Sequence, residues 1–271
     1  FGDSQVQRVC MPNITQNDIN IIQELPPEPN YQILMSKLPQ ECFQCNSVST
    51  STFQLFIVEN TVVLPENIKL VEDSAFTDVQ QQIFYIFGPG VEIIQDYAFN
   101  VNKRLKKAIF PMAKEIRDSV FAYCYQLESV IAPMCKHLGE CAFFMCHCLN
   151  NLVMQPKRLM SSAFGRSKVE YLELPSVKRI EMDAFIQANI RTLIVENCEE
   201  IDLSAFLEIN HKVEVYCPKC QNIDQLDRVH YLLKPVRKDK QNYQLAQISK
   251  LTNGSTKQIK MKLSLVKELV K

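Results

Sequence analysis

Glycine is scarce in this chain, with six in 271 residues. That leaves no glycine-rich loop to cradle a phosphate, and no His-Glu-x-x-His stands ready to hold a hydrolytic metal. Long apolar runs are missing as well. Nothing approaches the roughly 18 to 20 consecutive apolar residues that a membrane-crossing helix needs. No positively charged start followed by an apolar block reads as a secretory leader, and a leader ahead of Phe1 stays open. Net charge is absent too, with 30 basic against 30 acidic side chains. This argues against the whole molecule acting as a binder of nucleic acid or anionic membrane. The halves are not equally neutral: residues 221–271 hold 11 Lys and Arg against 4 Asp and Glu. The 11 cysteines form no compact framework, and their odd number leaves at least one unpaired. Their usage favours a reducing, cytoplasmic setting, with the cell surface or secretion as the alternative.

What the chain does have is a period. Phenylalanines fall at 76, 99, 121, 143, 164, 185 and 206, in steps of 21 to 23 residues. Five residues before each sits an aliphatic side chain: Val71, Ile94, Ile116, Leu138, Leu159, Ile180 and Ile201. Immediately before each stands a small one: Ala75, Ala98, Val120, Ala142, Ala163, Ala184 and Ala205. Three columns locked in register over seven units describe a solenoid, in which no unit can bury its apolar face alone and stacked neighbours supply the core. Each unit opens with six or seven residues of alternating apolar and mixed character. It then meets a proline at 89, 111, 133, 156 or 175, which reads as a short strand ending in a turn. Coils stacked at about 4.8 Å would line the phenylalanine rings up as a spine.

The pattern L-x-x-[IVL]-x-[small or apolar]-P, then an aliphatic residue, then A-F-x-x-C, resembles the treponemal, or BspA-like, class of leucine-rich repeat. Its best copies are residues 105 to 148, where Cys124 and Cys146 complete the signature. Other copies carry Val79, Asn102, Ser167, Ala188 or Ile209 at that place. The resemblance implies a parallel solenoid of about seven coils, with a β-sheet on one face and short strands or helical turns on the other. It also implies a role in binding other macromolecules, and it supplies no catalytic residue. The expected organisation is an N-terminal capping segment over 1–60, the solenoid over 61–220, and a basic C-terminal cap or small hairpin-helix module over 221–271.

Strand side chains alternate, so the position between two inward residues faces out. That outward row reads Phe87, Ile109, Ile131, Val153, Glu173 and Ile194, five large hydrophobes of six; two residues earlier runs Tyr85, Lys107, Ser129, Asn151, Tyr171 and Thr192. An apolar row on an open face marks a contact patch; β-branched residues that merely suit a parallel strand are the competing explanation. The expected partner-binding residues are Tyr85, Phe87, Lys107, Ile109, Ile131, Val153, Tyr171 and Ile194. They point to a non-catalytic binding or adhesion module, whose partner is a protein or a surface glycan rather than nucleic acid. The alternative is a structural scaffold whose basic segment, with Lys250, Lys257, Lys260, Lys262 and Lys267, meets an acidic partner, nucleic acid or a membrane surface.

Two Cys-x-x-Cys pairs, Cys42/Cys45 and Cys217/Cys220, have the spacing of half a zinc site. They stand at opposite ends of the rod, which favours a local disulfide or inert burial over a shared metal. Cys135, His137, Cys141, Cys146, His147 and Cys148 are ligand-type residues close in sequence, but Cys146 belongs to an inward column. No Cys/His pair is marked as a nucleophile and its base. No enzyme activity, metal or cofactor is expected.

Overall fold

The computed structural model describes residues 29–79, 82–226 and 229–236. The expected C-terminal hairpin and helix, with their lysines, fall outside the described residues. The chain runs α1 (Tyr31–Ser36), β1 (Ser47–Val48), β2 (Ile57–Val58), β3 (Thr61–Val63), β4 (Leu70–Val71), β5 (Tyr85–Phe87), β6 (Ile93–Ile94), β7 (Lys107–Ile109), β8 (Glu115–Ile116) and β9 (Ser129–Ala132). It continues through β10 (His137–Leu138), β11 (Asn151–Met154), β12 (Arg158–Leu159), β13 (Tyr171–Glu173), β14 (Arg179–Ile180), β15 (Thr192–Ile194), β16 (Glu200–Ile201), β17 (Val213–Tyr216) and β18 (Val229–Tyr231).

Each coil contributes one longer strand to one side and a two-residue strand to the other, and apart from one break on each side these pair in parallel with their counterparts one coil on. The long strands register Tyr85 with Lys107, Lys107 with Ser129 and Ser129 with Asn151. The second residue of every short strand from β4 to β16 belongs to the aliphatic column, and all seven are buried. A two-residue strand suffices because it needs only one inward side chain. Its first residue faces out and is usually charged, so Arg158, Glu181, Arg179 and Glu200 form a ladder of ion pairs at the surface. Exposed pairs of this kind contribute at most about 1 kcal/mol each.

The third side is built around the phenylalanine. Adjacent rings stack with centroids 5.1 to 5.8 Å apart and planes within 18° from Phe76 to Phe206. All but Phe206 are fully buried. The small column has a backbone role here: the N–H of Phe76 donates to Ala98 O at 2.8 Å, and Phe121 donates to Ala142 O at 3.0 Å. A bulkier side chain at these positions would crowd the adjoining ring. The residues two before and two after each phenylalanine from Phe76 to Phe185 have left-handed backbone, as does Glu208 after Phe206. Examples are Ser74 (φ 57°) and Asp78 (φ 44°), Tyr97 (58°) and Val101 (61°), and Ser119 (55°) and Tyr123 (62°). None is a glycine. Each such residue costs roughly 1 to 2 kcal/mol. What it gains is an N–H turned toward the next coil: Tyr97 donates to Asp118 O at 2.9 Å and Val101 to Ala122 O at 2.9 Å.

The long-strand sheet is interrupted between β11 and β13, and the short-strand sheet between β10 and β12. The step from Asn151 to Tyr171 is 20 residues, where the preceding coils advance by 22. A coil two residues short cannot keep both ladders in register. The ring spine nevertheless passes through, with Phe143 and Phe164 at 5.4 Å, and one hydrophobic core runs from Leu34 to Leu226.

The ends differ in construction. At the N-terminal end β1 pairs with β4 as a first rung, Phe53 meets Phe76 edge-on at 5.7 Å, and β2 closes the long-strand sheet by pairing antiparallel with β3. At the other end β18 pairs in parallel with β17, so the sheet continues to Tyr231.

Candidate functional site

The outer face of the long-strand sheet carries the two outward columns in the register that alternation demands. Phe87, Ile109, Ile131 and Val153 are successive partners across β5, β7, β9 and β11, and Glu173 faces Ile194 across β13 and β15. The other column brings Tyr85 beside Lys107 and Tyr171 beside Thr192. Ile109, Ile131 and Val153 form an apolar cluster of their own, separate from the solenoid core, with Phe87 and Tyr31 packed against them.

These side chains lie where the sequence puts them, but the row is not open to water. Ile109 is 0%, Ile131 3%, Val153 3%, Ile194 0% and Tyr171 7% exposed, while Tyr85, Phe87 and Lys107 are half-buried. The expectation of an exposed apolar stripe is corrected to that of a covered one. Part of the cause is visible: the Tyr31 ring stacks on Phe87 at 4.4 Å with planes 21° apart. Tyr31 sits far from the repeats in sequence, and no periodic signal marks it. The Tyr171 hydroxyl donates to Glu173 Oε2 at 3.1 Å, so the polar member of the apolar column is held inside the row.

Two further surfaces are accessible. Along the turn edge, Tyr123 meets Phe144 at 5.6 Å, Tyr125 stacks on His147 at 5.3 Å, and the Arg166 guanidinium lies 5.7 Å above Phe144. Burial and the nearby Lys168 lower the His147 pKa from its ordinary value. One coil further, Arg166, Lys168, Gln187, Asn189, Glu208 and His211 line a shallow polar groove of about 930 Å³.

The cysteines are absorbed by the fold. Cys124 Sγ donates to Phe99 O at 3.3 Å and Cys146 Sγ to Phe121 O at 3.2 Å, so the residues three after Phe121 and three after Phe143 each cap the carbonyl of the ring one coil earlier. Asn102 does the same with Nδ2 to Phe76 O at 2.7 Å. Sequence spacing predicts a small buried side chain there; the need for a donor is what unites Cys with Asn. Cys42 donates to Leu55 O and Cys217 to Cys198 O, as free thiols. Cys135 donates to the carbonyl of His137, while Cys146 points inward and His147 packs on Tyr125. Among the described residues no three ligand-type side chains converge on a metal-sized space.

Burial raises the thiol pKa of Cys124 and Cys146 far above normal, of Cys135 to about 12, and of Cys42 and Cys220 to about 11. At pH 8 a thiol with that last value is roughly one part in a thousand thiolate, the reactive form. In native protein at pH 8, iodoacetamide should therefore leave Cys124, Cys135 and Cys146 unlabelled over hours, whereas all should label within minutes in denaturant. Peptide mass spectrometry reads the result, and rapid native labelling of Cys124 would contradict the burial.

A parallel stack of coils with a phenylalanine spine and an in-register outer face defines a leucine-rich-repeat solenoid. Residues 37–150 and 114–227 match the BspA type leucine-rich repeat region, in six copies, and the chain belongs to that family. It is generally a non-catalytic repeat family. Among solved structures, the chain is similar to a leucine rich cell surface protein from Faecalibacterium prausnitzii, at 15% identity over 60% of this chain and 66% of that one, with a TM-score of 0.36. It is also similar to a leucine-rich repeat protein from Bacteroides ovatus, at 16% identity over 60% and 59%, with a TM-score of 0.30. The chain thus spans less than two thirds of each of those proteins. No curated protein matches it. Among the described residues no helix is long and apolar enough to cross a membrane.

Proposed function

We propose that the protein is a non-catalytic recognition module that takes a protein partner on the outer face of its long-strand sheet. The observation that carries this reading is the separate apolar cluster of Ile109, Ile131 and Val153. These three side chains are separate from the continuous solenoid core that runs from Leu34 to Leu226. Their chemistry favours a protein over a surface glycan, because aliphatic side chains offer no hydrogen bonds to sugar hydroxyls. Phe87, Tyr171 and Ile194 extend the row, and Tyr85 and Lys107 give it a polar margin, the arrangement of an apolar centre within a polar rim. Area and fixed anchors would supply the affinity, with little rearrangement of the coils themselves. The scaffold alternative rests on the basic C-terminal segment, whose lysines from Lys250 onward lie outside the described residues.

The test immobilises the full chain on a sensor surface and screens purified soluble proteins for saturable binding. Replacing Ile109→Asp and Ile131→Asp together should weaken such binding more than tenfold, since buried anchors each contribute on the order of 2 kcal/mol. Tyr85→Ala with Lys107→Ala, at half-buried positions on the margin of the row, should weaken it less while leaving circular dichroism unchanged. Undiminished binding in both variants would end the proposal.

A further inference from the structure

The outer row offers a ligand aliphatic anchors, whereas the turn edge offers rings, cations and amides. We propose that the turn edge from Tyr123 to His211 is a second binding site, which takes a glycan chain carrying an acidic group, a carboxylate or a sulfate ester. Along this edge the residue two after each phenylalanine is tied to the next coil by its N–H: Tyr123 donates to Phe144 O at 2.8 Å, Met145 to Gly165 O at 2.9 Å, Arg166 to Ile186 O at 2.8 Å and Gln187 to Leu207 O at 3.0 Å. These residues form one wall, which from Tyr123 to Glu208 spans four coil steps, about 19 Å. Two residues on in each coil, Tyr125 stacked on His147, then Lys168 and Asn189, make the other wall. Where the groove is widest, the buried Ser167 and Ala188 lie between the walls.

The strip changes character along its length. At its aromatic end Tyr123 is exposed and meets Phe144 edge-on at 5.6 Å, a platform for the apolar C–H face of a sugar ring. In the middle stand Arg166 and Lys168, both exposed, and among the described residues neither has a carboxylate partner. The Arg166 guanidinium rests a face on Phe144, so its edge N–H groups stay open for a bidentate contact with a carboxylate or sulfate. Beyond these cations come fixed polar groups. Gln187 Nε2 donates to Glu208, which leaves the Gln187 carbonyl as an acceptor, and His211 Nε2 donates to Ile190 O at 2.8 Å, which in the neutral ring leaves Nδ1 as an acceptor. Donors and acceptors held side by side in this way suit vicinal hydroxyls. Ser167 points the same way: where Cys124, Cys146 and Asn102 donate to a carbonyl one coil back, its buried hydroxyl has no partner among the described residues. That hydroxyl is not spent on the coil, and rotation about one bond turns it toward the groove. An acidic peptide is the poorer match, because the wall N–H groups from Tyr123 to Gln187 are all taken by the next coil and leave none for a peptide backbone. A nucleic-acid strand is poorer still, since it brings a phosphate at every step and Glu170 and Glu208 flank the far half of the groove.

The test titrates the full chain with octasaccharides of hyaluronan, which carries carboxylates alone, and of chondroitin sulfate, which carries both acidic groups, in a calorimeter. Saturable binding of at least one is expected, with neutral maltooctaose at least about tenfold weaker. Arg166→Asn with Lys168→Gln removes both charges, and asparagine keeps the left-handed backbone of position 166 (φ 53°). This variant should lower the affinity about tenfold with circular dichroism unchanged. Tyr123→Asn, also at positive φ (62°), should lower it severalfold. Failure of both acidic octasaccharides to saturate, equal binding of maltooctaose, or undiminished binding by the charge-removing variant would each overturn the proposal. Tighter binding of an octaglutamate peptide or of octauridylate would overturn it too, assigning the strip to a peptide or to nucleic acid. Should the double variant lose its native circular dichroism, Lys168→Glu, at an exposed position, takes its place under the same criterion. None of these outcomes depends on what the outer sheet face binds.

Discussion

Phe121→Ala is expected to destabilise the protein by about 4 kcal/mol, within the range of roughly 3 to 5 for emptying a buried phenylalanine site. Against a total stability of about 5 to 15 kcal/mol, this is a large fraction. The ring is fully buried and stacked between Phe99 at 5.8 Å and Phe143 at 5.7 Å, with Phe110 tilted against it at 6.5 Å. Collapse into the vacancy is resisted because the coils on either side are held by backbone bonds, Phe99 N–H to Val120 O at 3.2 Å and Phe121 N–H to Ala142 O at 3.0 Å. Removing the ring therefore loses transfer energy, two stacking contacts of about 1 kcal/mol each, and the dispersion contacts around the cavity. Phe206 is the informative comparison: it is 4% exposed and stacks on Phe185 alone among the spine rings. Phe206→Ala should cost about half as much, because the terminal coil can relax. Urea unfolding midpoints at constant m-value measure both. Equal losses at the two positions would mean that the rings contribute singly and not as a column.

The periodic part of the architecture was legible because each coil repeats the same packing problem. Phe, aliphatic and small columns map onto spine, short strand and ladder acceptor, and the outward register of Phe87, Ile109, Ile131 and Val153 follows from alternation. What resisted reading was physics that leaves no residue signature. Left-handed backbone at Ser74, Val101 or Tyr123 is invisible because coil-to-coil hydrogen bonds, and not glycine, make it tolerable. Cysteine at 124 and asparagine at 102 look unrelated until both are seen donating to the carbonyl of a ring one coil back. The covering of the outer row escapes for another reason. A repeat tells which way a side chain points, and nothing about Tyr31, which arrives from outside the repeat to lie on Phe87.

The few glycines present make the other large effect. Gly90→Ala and Gly139→Ala should each destabilise by about 3 kcal/mol, at the upper end for forcing atoms into a packed interior. A methyl at Gly90 would stand 2.2 Å from Glu66 O and 2.6 Å from its carbonyl carbon; at Gly139 it would stand 2.4 Å from Arg117 C and 2.5 Å from Asp118 N. In both places the obstacle is the backbone of the adjoining coil, which cannot turn aside as a side chain can. Relief requires the coils to separate locally, stretching bonds such as Gly139 N–H to Ile116 O at 2.8 Å and Glu140 N–H to Asp118 Oδ1 at 2.8 Å. At Gly88 a methyl would meet the Phe110 ring at 2.8 Å and Val91 Cγ2 at 2.9 Å, both side-chain atoms, so Gly88→Ala should cost less. None of the described glycines has positive φ, which separates this explanation from the usual one. Were conformational freedom the reason for glycine, Gly139→Asn would be tolerated, since asparagine accepts left-handed backbone. Because the reason is space, Gly139→Asn should destabilise at least as much as Gly139→Ala, and thermal melts of the two variants decide between close approach and backbone conformation.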